Sequence, residues 1–223
     1  MSDYIIRLYK DSDYEAVSEL FDYAVKDFAS VAFHQTLRLL HIWIFLLVVF
    51  FAPLVVFGSI LLAFLSLAFA LLVLRMGTRE FYHSHVSSGF SNDMKDINKY
   101  YLQRDGYNFW VAESAGHVVG MVAAIPSSYT CRDKHLELKR LAVDKSHRGK
   151  GIAKALSRTL IDFAREKGYE AVVLATTTAH TEAQHMYEKM GFRYVRHINL
   201  SQWRMRFIGI MLVFFQYDLP KGN

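Results

Sequence analysis

A chain of 223 residues, with 26 lysines and arginines against 21 aspartates and glutamates, has room for one domain and an additional element, and its mild basic balance names no partner. No aromatic-interleaved basic stripe or zinc-type spacing occurs, and the ten histidines, His83 and His85 included, show no ligand pattern, so neither nucleic-acid binding nor a metal site has support. Cys131 is the sole cysteine; it excludes an internal disulfide and favours a reducing, cytosol-facing location.

Tyr4 to Tyr9 reads as a short strand, and Asp11 or Ser12 can cap a helix carrying Ala16, Val17, Leu20 and Phe21. From Ile42 to Leu74 there is no charged residue, a run of roughly 33 where about 20 span a bilayer. It begins too far from the N-terminus for a signal peptide. Arg38 and His41 flank one end, Arg75 and Arg79 the other, which predicts that both ends face one compartment. A helical hairpin bending near Pro53 to Gly58 meets that requirement; a single tilted span is the competing reading. The run holds no ionisable residue to mark a transport pathway.

Glu80 to Leu102 reads as a polar connector followed by a helix, with Ile97, Tyr100 and Tyr101 as anchors. Phe109 to Glu113 and Val118 to Ile125 form a hairpin about Ser114-Ala115-Gly116-His117. Leu136 to Val143 is apolar and strand-like, and it runs into Arg148-Gly149-Lys150-Gly151-Ile152-Ala153. There a helix opens, with Ala155, Leu156, Leu160, Ile161, Phe163 and Ala164 at helical spacing. Unpaired N–H groups and the positive end of the helix dipole make such a junction a seat for a diphosphate, or else a plain turn and helix start. Strand-like Ala171 to Ala175 leads to Thr176-Thr177-Thr178 and a helix from about His180 to Met190, stopped by Gly191. Two strands splay apart here, and a cofactor can lie between them. Phe192 to Ile198 and Ile208 to Tyr217 are the closing strands. Cations gather between Arg132 and Arg158, among them Lys139, Arg140, Lys145, Lys150 and Lys154, as a phosphorylated nucleotide would want or as a solvated surface would show.

The order R-x-x-G-x-A, then Ala183 and Tyr187-Glu188-Lys189-Met190-Gly191-Phe192, resembles the GNAT acetyltransferase superfamily. The hydrophobic insertion, Phe109 to Ser114, Val119 to Val122, Arg148 to Leu156 and Tyr217 to Pro220 are similar to the camello, or N-acetyltransferase 8, family over nearly the whole chain. The resemblance implies an α/β GNAT fold: a mixed central sheet with helices on both faces plus an inserted membrane hairpin. Residues 1–36 supply its first strand and helix, 37–78 the membrane segment and 79–223 the remainder.

It further implies an N-acetyltransferase of the endoplasmic-reticulum membrane that uses acetyl-CoA and no metal. The acceptor is a small amine, foremost the α-amino group of cysteine S-conjugates, or a protein lysine. The diphosphate would lie on Arg148, Gly149, Lys150, Gly151, Ile152 and Ala153, and the pantetheine arm against the backbone of Leu141, Ala142 and Val143. Tyr187 would be the acid that meets the departing thiolate, or an aromatic anchor in the core of the last helix. Family members commonly have Asn where His180 stands; His180 would donate to the pantetheine arm or face solvent. Glu137 is placed as the general base, or as an exposed strand carboxylate paired with Lys139. By strand alternation it would share a face with Lys139, Leu141 and Val143. A catalytically inactive GNAT-like membrane anchor is the alternative of another class.

Overall fold

Period-two apolar patterns and two strongly amphipathic segments give the first of two compact units, residues 1–24, 90–198 and 212–223; the second holds residues 25–89 and 199–211. The computed structural model describes residues 3–82, 91–127, 134–199, 209 and 211–220. His83, His85, Cys131, Arg132 and Ile208 lie outside the described residues.

In the first unit, strands β1 (Ile5–Leu8), β2 (Asn108–Ser114), β3 (His117–Pro126), β4 (His135–Val143), β5 (Ala171–Thr177), β6 (Arg193–Asn199) and β7 (Met211–Asp218) form one sheet in the order β1-β2-β3-β4-β5-β7-β6. β1 to β4 are antiparallel neighbours, β4 and β5 run parallel, and β5 and β7 are antiparallel, so the sheet is mixed. Helix α5 (Ile152–Glu166) covers one face: Ile152, Leu156, Leu160, Ile161 and Ala164 are buried with Trp110, Val122, Leu138 and Leu174. The other face is covered by the start of helix α1 (Tyr14–Thr36) and by a π-helical turn, Asn98–Leu102, that follows the short α4 (Ser91–Met94). Val17 and Leu20 pack there with Ile97, Tyr101, Phe109 and Val111. Ile97 and Tyr101 are the anchors expected of the connector, both fully buried; Tyr100 is only half-buried.

Entry to α1 is set by Asp13 rather than by Asp11 or Ser12. Its carboxylate accepts from the Lys10 N–H at 2.8 Å and pairs with Arg7, which also reaches Glu113 on β2. That arrangement ties the edge strand to the helix start, and the Arg7 guanidinium holds the Asp13 carboxyl below its ordinary range.

Two apolar helices make up most of the described second unit. α2 (Leu40–Phe57) passes through Pro53 unbroken, and the chain reverses at Gly58, whose φ of 63° caps the helix through its N–H to Leu54 O. α3 (Ile60–Tyr82) then runs back, with Phe64 against Phe50 and Ala70 packed with Ile42 and Leu46. The expected hairpin therefore forms, with its bend at the C-terminal edge of the expected window, and a single continuous span does not. Pro53 has no N–H to give Val49 O four residues earlier. The Ser66 hydroxyl on α3 is 2.9 Å from that carbonyl and 2.9 Å from Ala63 O of its own helix. Ser66→Ala is expected to cost the hairpin about 1 kcal/mol, and less in a Pro53→Ala background, where the helix regains its own donor. Thermal unfolding of the four proteins in detergent measures the coupling; additive losses would mean that Ser66 does not serve Val49.

Candidate active site

β4 and β5 share hydrogen bonds only at His135, Leu136 and Glu137, opposite Ala171, Val172 and Val173. Beyond that point β4 continues along β3 to Val143 and β5 continues along β7 to Thr177. Among the described residues, the edge of β4 from Leu138 to Val143 that turns toward β5 has no strand on it.

The cause lies in β4 itself. Lys139 pairs with Ala123 and Ala142 with Met121, so two residues, Arg140 and Leu141, stand opposite the single Val122. Arg140 has a φ of 56°, the left-handed conformation that a bulge of this kind requires. A bulge bends and twists its strand, and it breaks the alternation of faces. Glu137, Lys139 and Ala142 are on the α1 side, opposite Ile125, Ala123 and Met121, whereas Leu141 and Val143 pack into the α5-side core. The expected shared face of Glu137 with Leu141 and Val143 is thus wrong, because simple alternation takes no account of an inserted residue.

At the end of β4 the Asp144 carboxylate accepts from the Ser146 N–H at 2.9 Å, and Arg148 Nε reaches back to Val143 O at 3.3 Å. These bonds fix a turn that delivers Gly149, Lys150 and Gly151, all exposed, to the start of α5. Gly151 is the N-cap residue with a φ of 82° and no side-chain cap, so the N–H groups of Ile152, Ala153 and Lys154 point out of the helix end without a side chain over them. Nothing lies within 4 Å of a side chain built at Gly149, and only Tyr4 Oη, at 3.9 Å, approaches one at Gly151. The seat is open, and its donors and dipole suit a diphosphate. Gly120, on β3, lets the helix start so low: a methyl group there would come within 3.1 Å of both Ile152 and Leu156. An isolated glycine in a strand marks a close approach, and Gly120, within the Val118 to Ile125 strand pattern, is the sequence signal for this contact.

Glu137 is 2 % exposed. One carboxylate oxygen is 3.5 Å from Lys139 Nζ, and the other has no hydrogen-bond partner. Burial raises its pKa, and the attraction of Lys139 and Arg140 offsets this only in part. The carboxylate is paired with Lys139, as one of the two readings held, but it is buried rather than exposed. Tyr187, on α6 (Thr181–Lys189), is buried against Phe192 and Phe215 at 5.5 and 6.2 Å in the core cluster that includes Leu138 of β4 and Leu174 of β5. Burial pushes its phenol above the ordinary range. His180 turns its Nδ1 to the Thr177 hydroxyl at 2.8 Å, while Gln184 holds Thr177 O at 2.9 Å, so both tighten the β5–α6 turn.

The cations divide. Arg140 is taken up by Asp93, whereas Lys154, Arg158, Arg165 and Lys189 line a cavity of about 350 Å³ on α5 and the end of α6. Among the described residues no cluster of histidine, cysteine and carboxylate side chains could hold a metal ion.

Residues 76–192 match the acetyltransferase (GNAT) family. Over its full length the chain is 39% identical to N-acetyltransferase 8B of Mus musculus, covering 96% of that protein, and 40% identical to N-acetyltransferase 8F1 of the same species, covering all of it. The chain belongs to the N-acetyltransferase 8 family. Among solved structures, a ribosomal-protein-alanine N-acetyltransferase from Brucella melitensis superposes with a TM-score of 0.59 at 19% identity, over 96% of this chain and 99% of that one. An acetyltransferase from Salmonella typhimurium, solved with acetyl-CoA, gives 0.55 at 18% identity, over 99% and 96%. These likenesses show the GNAT fold. As a GNAT N-acetyltransferase the protein is an enzyme that takes an acetyl group from acetyl-CoA to an amine. The open fork, the glycine turn and the uncapped helix end are together on the chain that the family assignment covers.

Proposed function

We propose that this enzyme acetylates the α-amino group of cysteine S-conjugates while anchored in the endoplasmic-reticulum membrane by its apolar hairpin, with the active site facing the cytosol. The observation that carries the reaction is the buried, half-unpartnered Glu137 carboxylate beside the fork between β4 and β5. An amine attacks a thioester only when neutral, so a proton must leave its nitrogen as the C–N bond forms. Glu137, its pKa raised by burial, takes that proton. Leu141, Ala142 and Val143 offer their open strand edge to the pantetheine amides, and Arg148 to Ala153 with the α5 N-terminus receive the diphosphate. Tyr187 meets the sulfur as the C–S bond breaks. A phenol above its ordinary 10 yields its proton to a thiolate of about 8.5 only uphill, so its hydrogen bond stabilises the charge developing on sulfur. His180, occupied at Nδ1, acts by holding the turn behind this site.

Two features support this acceptor. Val55, Phe57 and Phe69 are 82, 70 and 68 % exposed on helices long and apolar enough to cross a membrane, which suits a lipid bilayer and amphiphilic substrates that partition to it. Antiparallel α2 and α3 also bring the Arg38/His41 and Arg75/Arg79 flanks to the same end of the hairpin, which fits a cytosolic face. Lys139, on the same strand face as Glu137 and paired with it at 3.5 Å, and Arg140, paired with Asp93, make this face of β4 cationic, which favours a substrate that carries a carboxylate. The purified full-length enzyme is offered acetyl-CoA with S-benzylcysteine, a lysine peptide or aspartate, and thiol release is followed. S-benzylcysteine is expected to give the highest kcat/KM; preference for the lysine peptide would overturn the assignment.

A further inference from the structure

Arg140 combines two features that are individually unfavourable. It is a bulky residue in the left-handed conformation, and its charged side chain is only 7 % exposed. What holds it there comes from three elements far away in sequence. Asp93 of α4, itself 9 % exposed at its side chain, accepts from Arg140 Nε at 3.0 Å and from Nη2 at 2.7 and 2.9 Å. The phenol of Tyr101, from the π-helical turn and fully buried, donates to the same carboxylate. The ring of Phe21 on α1 lies 5.0 Å from the guanidinium carbon.

The residue so fixed is the inserted residue of the bulge, three positions after the last bond between β4 and β5 and immediately before Leu141 to Val143. We propose that the Asp93–Arg140 ion pair, supported by Tyr101, is the positioning device of the active site: it keeps the bulge in place and so sets the strand edge that receives acetyl-CoA. This rests on the reading above that the pantetheine arm lies along Leu141 to Val143. Without the pair, β4 can return to regular alternation. Such a one-residue slip would carry Leu141 and Val143 to the opposite face and bring β4 back toward β5.

The test uses the full-length enzyme in detergent, with acetyl-CoA as the probe and its dissociation constant measured by calorimetry. Asp93→Asn is expected to weaken acetyl-CoA binding at least tenfold per folded molecule, and Arg140→Lys, which keeps the charge and loses the fork, to weaken it less. In the Asp93→Asn/Arg140→Gly double variant the left-handed conformation costs nothing and no buried cation is left alone, so affinity should recover to within about threefold of wild type. The melting temperature should nevertheless stay low. With S-benzylcysteine as acceptor, KM for acetyl-CoA should rise in Asp93→Asn and KM for the acceptor should not. A pair that merely braces the core would lower the melting temperature and leave the acetyl-CoA dissociation constant of the folded fraction unchanged in both single variants; that result, or a double variant binding no better than Asp93→Asn, overturns the proposal. If Asp93→Asn does not fold, the contrast between Arg140→Lys and wild type decides it. Failure of the wild-type enzyme to bind acetyl-CoA would instead remove the functional reading on which the proposal stands.

Discussion

Glu137→Gln is expected to slow acetyl transfer by about 10²- to 10⁴-fold, the usual contribution of a positioned general base, with acetyl-CoA affinity unchanged. The wild-type rate should fall on the acid side as pH drops through the raised Glu137 pKa, and the variant should lack that limb. Stability should move the other way. The folded-state pKa lies above the ordinary 4.5, so the native chain holds this proton more tightly than the unfolded one. Its contribution is fully present below about 4.5 and is lost as pH rises through the folded value. Above that pH a charge is buried with one oxygen unpartnered, and an uncharged amide removes that cost. The melting temperature of the variant relative to wild type should therefore climb from acid to neutral pH. Equal turnover in the two proteins would return Glu137 to a structural ion pair with Lys139, and a pH-independent difference in melting temperature would show that the carboxyl is not held above its ordinary value.

Gly151→Asp is expected to reduce acetyl-CoA affinity more than 100-fold, a loss of over about 2.7 kcal/mol. Aspartate is ordinarily a favoured N-cap, but in the extended conformation; at a φ of 82° it is strained by about 1–2 kcal/mol. Its carboxylate would stand where the helix dipole and the first-turn N–H groups invite a diphosphate, replacing attraction by like-charge repulsion. Gly151→Ala separates the two effects. A methyl group meets nothing closer than Tyr4 Oη at 3.9 Å, so it carries the strain without the charge and should lose far less affinity. Calorimetry with acetyl-CoA measures both variants. Unchanged binding by the aspartate protein would remove the diphosphate from this turn.

Much of this site was legible in the sequence because its signals are local. A strand pattern running into Arg148 to Ala153, then an amphipathic helix, encodes the turn and the exposed helix end within some thirty residues. Ala171 to Gly191 does the same for β5 and α6, and the charge-free run with Pro53 and Gly58, flanked by cations at both ends, favoured a hairpin over a single span. Period, cap and breaker act between near neighbours, so the sequence alone determined the seven strands and helices α1, α5 and α6 in their order, whereas the helix expected before Phe109 is a four-residue α4 and a π-helical turn.

The tertiary structure decided the rest, because each remaining feature depends on atoms brought from elsewhere. Whether β4 alternates or bulges depends on the register that β3 imposes and on a carboxylate 47 positions away. No pattern around Arg140 announces Asp93, so Arg140 read as one cation in a basic patch and Leu141 as a neighbour of Glu137. Whether the Glu137 carboxylate is exposed or buried depends on the packing around it, which alone raises its pKa. The sequence determined that a strand, a glycine turn and a helix follow one another; only the folded sheet decided that the strand parts from its neighbour there, since strand separation arises from non-local hydrogen bonds and one buried ion pair.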